Sequence, residues 1–445
     1  MNRFDKKINR QVYRDELPTL VIAGGWVLDA GRWNGEANIW IRQGVIQAVV
    51  SPDAQSPDGA VCIDAAGLLI LPGLIDLHVH LREPGFEYKE TIATGAAAAV
   101  AGGFTGICCM PNTKPVNDAP SVTRLVLEKA RAAGAARVYP IGAITKGSLG
   151  KEVADLAALK QAGCVAASDD GRPVMKDEVM RDAMERAFEA ALPIINHCED
   201  LSLSGCGCMN EGPVARSLGV PGMPAKAESR MVERDLALAR ETGCHLHVAH
   251  ISTAKAVQAV RQGKMEGVHV TAEACPHHVF LTDEAVREWG TLAKMNPPLR
   301  QRADVEAVRE GLRDGTIDAM ATDHAPHAEY EKAWGMDRAP FGIVGLETAL
   351  ALTLRLVEEG VLSLERAVRC MTSGPAQIFG LPGGSLNVGA AADLVLVDRD
   401  REWVVDPDQF HSKGRNTPFA GWRLRGQVAM TVVGGQVVYQ RPAEA

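Results

Sequence analysis

The chain has 445 residues, of which 46% are hydrophobic and 23% are charged, so its composition excludes disordered and collagen-like proteins. Its 47 Lys and Arg residues and 55 Asp and Glu residues give a formal net charge of −8, and the acidic residues are scattered. This charge argues against a nucleic-acid partner or an anionic membrane surface. No stretch predicts a membrane span, and the charged N-terminus lacks a secretory signal, so we expect a cytoplasmic protein.

Both ends of the chain carry strand patterns. Near the N-terminus, apolar residues alternate or cluster on either side of the turn Gln43-Gly44. The pattern returns at 393–398 and at 428–439, where Gly434-Gly435 forms the predicted hairpin turn. Because each end is too short to fold alone, we predict that residues 1–71 and 387–445 pair into one small β-sandwich domain.

Between these ends, short apolar runs alternate with helix-length segments. There are eight such runs: Leu74–His80, Thr105–Met110, Arg137–Ala143, Gly163–Ser168, Leu192–His197, His245–His250, Gly267–Glu273 and Ile317–Asp323. Eight apolar strands, each followed by a helix, are typical of a parallel barrel with an outer ring of helices. A doubly wound open sheet alternates in the same way, but no Gly-rich dinucleotide fingerprint follows the first run. The sequence therefore predicts an α/β fold in which residues 72–386 form a TIM-like (β/α)8 barrel.

Several predicted strands end in, or lead directly into, side chains that bind metals. These positions are His78, His80, Asp169, Asp170, His197, His250 and Asp323. Each one alone also fits a polar pair, a turn or a helix cap, but a barrel would bring all of them to one mouth. Imidazoles and carboxylates without thiolates favour zinc or a similar divalent ion. Four histidines, Asp323 and one aspartate of the Asp169-Asp170 pair make six ligands. Because six ligands exceed the tetrahedral set of one ion, we predict two ions that share a bridging carboxylate.

Other histidines near these strand ends fit supporting positions. His245 and His247 have the strand parity opposite to that of His250, so we expect them to pack against the helical layer. His324 lies beside Asp323, where an orienting or structural role is expected rather than ligation.

The residues around the first predicted strand resemble a known metal motif. Segment 72–85, with the sequence Pro-Gly-Leu-Ile-Asp-Leu-His-Val-His-Leu-Arg-Glu-Pro-Gly, resembles the opening motif of the amidohydrolase superfamily. Its last four residues resemble the dihydroorotases in particular. Motifs similar to those of the long bacterial branch, class I, occur along nearly the whole chain, at 110–113, 196–200, 209–212, 248–252, 276–278, 296–300 and 321–327. The resemblance implies a (β/α)8 barrel that holds two zinc ions.

Carried over by position, the resemblance assigns each ligand. It implies that His78 and His80 hold one zinc ion together with Asp323, and that His197 and His250 hold the second. Many relatives bridge the metals with a carboxylated lysine, whereas this chain has two aspartates at that place, as in the class I members that use aspartate. We expect Asp170 to bridge, with Asp169 as the competing register. The absence of the lysine counts against a hydantoinase or an allantoinase.

The implied substrate carries a carboxylate, which requires a positive partner. Arg82 lies two residues beyond His80 on the same strand parity, so its guanidinium fits that role. The alternative is a structural salt bridge from Arg82 to Glu83 or Glu87. The resemblance implies the following substrate-binding positions: His80, Arg82, Asn112, Asn296, His327, Phe341 and Gly342.

The activity implied by the resemblance is the reversible hydrolysis of a cyclic amide. A hydroxide attacks the amide carbonyl, and Asp323 takes the proton of the nucleophile and passes it to the ring nitrogen. The reverse reaction closes N-carbamoyl-L-aspartate to dihydroorotate in pyrimidine biosynthesis. The alternatives are a cyclic amidohydrolase for hydantoin, dihydropyrimidine or allantoin, and a catalytically silent scaffold for aspartate carbamoyltransferase. The resemblance also leads us to expect a homodimer and allows association with that transferase in an active enzyme.

Overall fold

A computed structural model describes residues 19–29 and 33–442 of the chain. The N-terminal part consists of five strands, β1 (Leu20–Asp29), β2 (Trp33–Arg42), β3 (Val45–Val50), β4 (Val61–Asp64) and β5 (Leu69–Pro72). Strands β1, β2 and β3 form an antiparallel meander, and the predicted turn at Gln43-Gly44 joins β2 to β3. Both turn residues have positive φ, as a tight hairpin turn requires.

The middle of the chain contains the eight predicted barrel strands. They are β6 (Leu74–Val79), β7 (Phe104–Cys109), β8 (Arg137–Gly142), β9 (Ala166–Ala167), β10 (Ile194–Asn196), β13 (Leu246–Val248), β14 (Val270–Ala274) and β15 (Ala319–Met320). All pair in parallel in the order of the chain, and each overlaps one of the eight apolar runs, with only Phe104 of β7 and Ala274 of β14 lying one residue outside. A parallel bridge between Val79 and His324 links the first strand to the residues after the eighth. The TIM-like barrel is therefore confirmed. The short strands β11 (Met209–Asn210) and β12 (Gly222–Met223) pair with each other outside it.

The C-terminal strands return to the N-terminal ones. Strands β16 (Leu394–Val404), β17 (Arg423–Val433) and β18 (Gln436–Gln440) extend the terminal sheet in the order β18-β17-β16-β5-β1-β2-β3, with β4 beside β1. Residues such as Ile22, Ile39, Ile70 and Leu394 form a hydrophobic cluster distinct from the core of the barrel. Strands of both termini thus form a separate sheet, as the sequence predicts. The domain boundaries at 71/72 and 386/387 stay a prediction.

Helices follow the barrel strands and form the outer layer. Their bounds are α1 (Ile92–Ala101), α2 (Pro120–Ala133), α3 (Leu156–Ala162), α4 (Asp177–Glu189), α5 (Leu201–Ser204), α6 (Pro213–Leu218), α7 (Lys226–Thr242), α8 (Ala254–Met265), α9 (Pro276–Phe280), α10 (Ala285–Trp289), α11 (Arg302–Asp314), α12 (Glu329–Lys332), α13 (Ala349–Glu358), α14 (Leu364–Met371) and α15 (Ser373–Phe379). In α4, Met180, Ala183, Met184 and Ala187 are buried at helical spacing, which fixes the face that packs on the strands. Among the described residues, no helix combines the length and the apolar character that a membrane crossing requires.

The two faces of the barrel strands meet different partners. Ile75, Leu77, Ile141 and Ile195 belong to a cluster inside the barrel, which Phe379 of α15 joins. Alternate residues, among them Leu246 and Val248, belong to the cluster shared with the helices. Because the interior is filled by side chains, the carboxyl ends of the strands form a closed floor on which polar groups can be placed.

Candidate metal centre and substrate pocket

Six predicted residues meet at the carboxyl ends of the barrel strands. We call them the imidazole–carboxylate cluster: His78, His80, Asp170, His197, His250 and Asp323. Each side chain is buried, with at most 7% of any of the six residues exposed. Two overlapping groups in this cluster have ligand atoms within 4.8 Å of one another, His78 with His80 and Asp323, and His78 with Asp170 and His250. The barrel topology thus brings together residues up to 245 positions apart in the sequence.

Asp170 lies at the centre of the cluster. Its Oδ1 is 3.4 Å from His78 Nε2, 3.6 Å from His250 Nε2 and 3.7 Å from His197 Nδ1, and its Oδ2 is 3.5 Å from His80 Nε2. Burial raises the pKa of the Asp170 carboxyl, but the electrostatic effect of the surrounding imidazoles, that of His78 first, outweighs it and holds this pKa well below its usual range. A single carboxylate that faces four imidazoles has the arrangement expected of a bridge between two cations.

Asp169 points away from the imidazoles. Its Oδ1 accepts hydrogen bonds from the backbone N–H groups of Ile144 at 2.9 Å and Thr145 at 3.1 Å, and its Oδ2 accepts one from the Thr145 hydroxyl. Burial raises the pKa of Asp169 to about 6, against the lowering effect of these hydrogen bonds. The side chain therefore ties the loop after β8 to the loop after β9. Of the two competing registers, the structure brings only Asp170 to the other five residues.

Asp323 lies against the first strand. Its Oδ1 is 3.0 Å from His80 Nε2 and 3.6 Å from His78 Nε2. Burial raises the pKa of Asp323, but the hydrogen bond from His80 and the charge of His78 outweigh it, so the pKa lies below the usual range. The carboxylate is therefore ionised and able to accept a proton.

Backbone strain coincides with these residues. Among the described residues, six non-glycine residues have positive φ, and Arg82 (61°), His250 (30°) and Asp323 (47°) are three of them. This region is costly for residues with a Cβ and is typical of functional sites. This backbone conformation directs the side chains of Arg82, His250 and Asp323 into the barrel mouth. A regular strand would direct them elsewhere.

The nitrogen and oxygen atoms of the cluster are suited to binding a metal cofactor. His78 Nε2, Asp170 Oδ1 and His250 Nδ1 are buried atoms without a hydrogen-bond partner. An unpaired buried polar group costs about 1–3 kcal/mol, so three of them in one cluster require a common partner. Imidazole nitrogen and carboxylate oxygen are the ligands that zinc and similar divalent ions prefer. The cluster therefore supports a bound metal.

Two carboxylates behind the cluster are not identified by the sequence analysis. Glu273 accepts from His78 Nδ1 at 2.8 Å, and Glu199 accepts from His197 Nε2 at 3.0 Å. Both pKa values are lowered to about 2, because hydrogen bonds from the imidazoles outweigh the effect of burial. Asn296, a predicted substrate ligand, donates to Glu199 at 2.8 Å. Glu273 ends one of the apolar runs, and that position is the signal that could have identified it.

The expectation for His245 and His247 is wrong. His247 is fully buried and packs edge-on against Phe379, a residue of the cluster inside the barrel. Its Nε2 lies 3.2 Å from Glu273 Oε2, and both His247 Nδ1 and His245 Nε2 contact the Thr271 hydroxyl. The strand ends before His250, whose positive φ breaks the alternation on which the parity argument depends. Both histidines therefore contact polar groups of the neighbouring strand β14 instead of the helices.

A second group of polar side chains borders the first. We call it the cationic cluster: Arg82, Lys89, His327 and Lys332. Arg82 Nη2 lies 3.2 Å from His327 Nε2, and Lys89 Nζ lies 3.2 Å from His327 Nδ1. Burial, together with the charges of Arg82, Lys89 and Lys332, holds the pKa of His327 far below its usual range, so the ring is neutral. Because an ammonium group only donates and a carbonyl oxygen only accepts, His327 Nδ1 accepts from Lys89 and its Nε2–H donates to Phe341 O at 2.7 Å. The approach of Arg82 Nη2 to Nε2 is then a contact between two donors and not a hydrogen bond.

Arg82 makes no salt bridge among the described residues. Glu83 pairs with Lys129 at 2.6 Å, and Glu87 accepts from the backbone N–H of Gly85 at 2.9 Å, which excludes the predicted alternative. Arg82 instead donates from Nε to Pro326 O at 3.2 Å. Its charge is therefore compensated at a distance, by Asp323 and Asp170 first and then by Glu331 and Glu90.

Asn112 contacts two residues of the imidazole–carboxylate cluster. Its Oδ1 is 2.9 Å from His80 Nδ1, and its Nδ2 donates to Asp170 Oδ2 at 3.3 Å. This predicted substrate ligand thus orients an imidazole and a carboxylate of that cluster.

The loop after β15 holds Phe341 and Gly342 next to His327. His327 Nε2 donates to Phe341 O at 2.7 Å. Lys332 Nζ donates to the carbonyl oxygens of Pro340 at 2.9 Å and Gly342 at 3.0 Å. Gly342 has φ of 125°, and a Cβ there would lie 2.5 Å from that of Ala325, so only glycine fits. A buried lysine thus fixes the segment that the sequence analysis assigns to the substrate.

Comparison with known proteins identifies the family. The amidohydrolase family model matches residues 69–438. The chain belongs to the amidohydrolase family. Proteins named dihydroorotase are similar to it over 95% of its length: the one from Anaeromyxobacter dehalogenans is 55% identical over 98% of its own length, and the one from Syntrophotalea carbinolica is 53% identical over 99%. Within the amidohydrolases the chain therefore falls in the dihydroorotase branch.

Solved structures with the same fold come from related hydrolases. The L-hydantoinase (dihydropyrimidinase) of Arthrobacter aurescens superposes with a TM-score of 0.86 at 26% identity, covering 95% of this chain and 96% of that one. The dihydropyrimidinase of Brevibacillus agri gives 0.81 at 23% identity, covering 95% of each chain. The amidohydrolase barrel is shared with both, whereas sequence similarity is about twice as high to the dihydroorotases.

Proposed function

We propose that this amidohydrolase catalyses the reversible hydrolysis of the cyclic amide of dihydroorotate to N-carbamoyl-L-aspartate. Cyclisation is the direction that pyrimidine biosynthesis uses. The observation that carries the proposal is the position of Arg82, a cation without a carboxylate partner among the described residues, beside a buried cluster suited to metal ions. The name of the relatives that are more than half identical supports the same activity.

The metal site of the proposal contains two zinc ions. His78, His80 and Asp323 would hold one, His197 and His250 would hold the other, and Asp170 would be shared between them. When bound, zinc supplies a water molecule of lowered pKa and polarises the substrate carbonyl.

Asp323 is the proposed general base and acid. Its carboxylate is ionised and lies on the floor of the pocket, so it can take the proton of the attacking water. The same oxygen then passes that proton to the ring nitrogen as the amide bond breaks. In the direction of cyclisation, Asp323 removes the proton from the carbamoyl nitrogen as that nitrogen forms its bond to the carboxyl carbon, and it returns the proton to the carboxyl oxygen that leaves as water. One carboxylate thus serves both directions, as reversibility requires.

The cationic cluster is the proposed binding site of the substrate carboxylate. Arg82 presents N–H groups in a planar fork that matches a carboxylate. The Nε2–H of His327 donates to Phe341 O and lies 3.2 Å from Arg82 Nη2, so His327 borders the guanidinium that would hold the carboxylate. His80, Asn112, Asn296 and the backbone at Phe341-Gly342 complete the proposed substrate set. A substrate with an uncharged ring, such as hydantoin, would leave this group of cations without a negatively charged partner.

The neutral-ring amidohydrolases are the second candidate, because the solved structures that share the fold include hydantoinases. Ring opening is followed by ultraviolet absorbance with dihydroorotate and hydantoin side by side, using the wild-type chain. We expect dihydroorotate to be opened with the higher kcat/KM. Faster opening of hydantoin would reject the proposal in favour of the second candidate.

Quaternary structure and location are expectations of the same proposal. A homodimer, association with aspartate carbamoyltransferase and a cytoplasmic location remain predictions. Sedimentation of the purified chain, alone and mixed with that transferase, tests the first two.

A further inference from the structure

A chain of hydrogen bonds leads from the imidazole–carboxylate cluster down through the barrel along strands β13 and β14. It starts at His78 Nδ1, 2.8 Å from Glu273 Oε1, and continues from Glu273 Oε2 to His247 Nε2 at 3.2 Å. His247 Nδ1 is 2.8 Å from the Thr271 hydroxyl, which is 2.9 Å from His245 Nε2. His245 stacks on His269 with 4.1 Å between ring centroids, and His269 is exposed. The proposed function uses none of these residues except His78.

The chemistry of the partners fixes which atom donates. An ionised carboxylate only accepts, so both imidazoles that touch Glu273 donate to it, His78 from Nδ1 and His247 from Nε2. His247 Nδ1 therefore accepts from the Thr271 hydroxyl, and the oxygen of Thr271 accepts from His245 Nε2. All donors thus point in one direction along this series, from His245 to Glu273. The assignment follows from the hydrogen-bond partners alone.

These bonds determine which nitrogen His78 presents to the cluster. With its Nδ1 proton held by Glu273, His78 presents Nε2 to Asp170 Oδ1 at 3.4 Å and Asp323 Oδ1 at 3.6 Å, and this nitrogen carries no proton when the ring binds a metal ion. Three lone pairs that face one another repel unless a cation lies among them. Among the described residues, His78 Nε2 has no hydrogen-bond partner, as expected of an atom that ligates a metal ion.

Burying the Glu273 carboxylate costs free energy, and a role in orienting His78 accounts for that cost. The residue is fully buried, and its two oxygens are engaged by His78 and His247, with a longer bond of 3.4 Å from the backbone N–H of His250. A buried carboxylate is tolerated only when it is paired and hydrogen-bonded, and an apolar residue would fill this space at lower cost. Carboxylates that accept the second N–H of a metal-binding histidine commonly fix its tautomer and raise its basicity.

We propose that Glu273 is a positioning residue that holds His78 in the orientation and tautomer a metal ion requires, and that His247, Thr271 and His245 fix Glu273 from behind. The inference rests on the metal site of the proposed function but not on the identity of the substrate. It is therefore tested by metal binding, without reference to turnover.

The test measures Zn2+ affinity of the full-length protein by competition with a chromogenic chelator. In Glu273→Gln, the amide nitrogen must face one of two N–H donors, so we expect Zn2+ to bind about 10- to 100-fold more weakly. The visible spectrum of the Co2+-loaded variant should shift as well, because the ligand field depends on His78. Asp393→Asn is the matched control, since Asp393 is a buried carboxylate paired with Arg137, and loss of that pair should lower Tm without a change in affinity or spectrum.

Unchanged Zn2+ affinity and an unchanged Co2+ spectrum in Glu273→Gln would overturn the inference. If that variant does not fold, Thr271→Val replaces it, because valine keeps the shape of threonine and removes only the hydroxyl that orients His247. We expect about 2- to 10-fold weaker binding there, and wild-type affinity would overturn the inference. A wild-type protein that binds no Zn2+ would contradict the proposed function instead, so the two failures are distinguishable.

Discussion

The two clusters at the barrel mouth differ in how their buried charges are compensated. In the imidazole–carboxylate cluster, three buried nitrogen and oxygen atoms have no partner. In the cationic cluster, Lys332 and Lys89 are held by carbonyl oxygens and by Glu331, and only Arg82 has no carboxylate within salt-bridge distance among the described residues. Under the proposed function, metal ions would bind at the first cluster and the substrate carboxylate at the second.

The largest effect is expected from breaking the first cluster at Asp170. Asp170→Asn removes the charge that faces four imidazoles, so metal content should fall and kcat/KM should drop by at least about 10³-fold. Metal analysis and steady-state kinetics on the same preparation measure both.

Asp169→Asn is the control, because Asp169 is an equally buried carboxylate that bonds to Thr145 instead of the imidazoles. It should lower Tm and keep the metal content. Loss of metal in Asp169→Asn with retention in Asp170→Asn would reverse the assignment of the bridge.

An intermediate effect is expected from breaking the second cluster at Arg82. Arg82→Ala removes the charged hydrogen bonds to the substrate carboxylate, worth about 1.5–3 kcal/mol, so KM for dihydroorotate should rise about 10- to 150-fold. The metal content should stay at the wild-type value. Arg131→Ala, which removes an exposed arginine of α2, should leave KM unchanged. An unchanged KM in Arg82→Ala would remove the arginine from substrate binding.

The smallest effect is expected at Lys332, where the comparison is tested by the dependence of folding stability on pH. Burial lowers the pKa of Lys332 to about 7, helped by the charge of Lys294. The unfolded chain keeps the ordinary lysine value of about 10.4, so it binds more protons than the folded chain between these values. Stability of the wild type should therefore rise with pH from 7 to 10 relative to Lys332→Met. Thermal denaturation across this range measures it, and parallel curves for the two proteins would contradict the assignment.

Most of the fold can be predicted from the sequence, because each strand and turn depends on a short, local pattern of residues. Each of the eight barrel strands overlaps an apolar run, and the turn at Gln43-Gly44 joins two terminal strands as predicted. Metal-binding side chains follow these runs directly, so knowledge of the topology alone suffices to gather them.

The remaining features depend on distances that no pattern encodes. Asp169 and Asp170 are adjacent and chemically identical, and only the hydrogen bonds of Asp169 to Ile144 and Thr145 distinguish their directions. The parity argument places His247 against the helices because it assumes a regular strand up to His250, whereas the strand ends at Val248. Glu273 and Lys332 acquire their roles only from residues distant in the sequence, His78 for one and Gly342 for the other.

The central claim is that bound metal ions complete the first cluster and make ring opening possible. The most direct measurement removes metal from the purified chain with a chelator, assays ring opening of dihydroorotate, and then titrates Zn2+ back. The account predicts that activity disappears with the metal and returns in proportion to Zn2+ up to two ions per chain. Full activity in metal-free protein would contradict it.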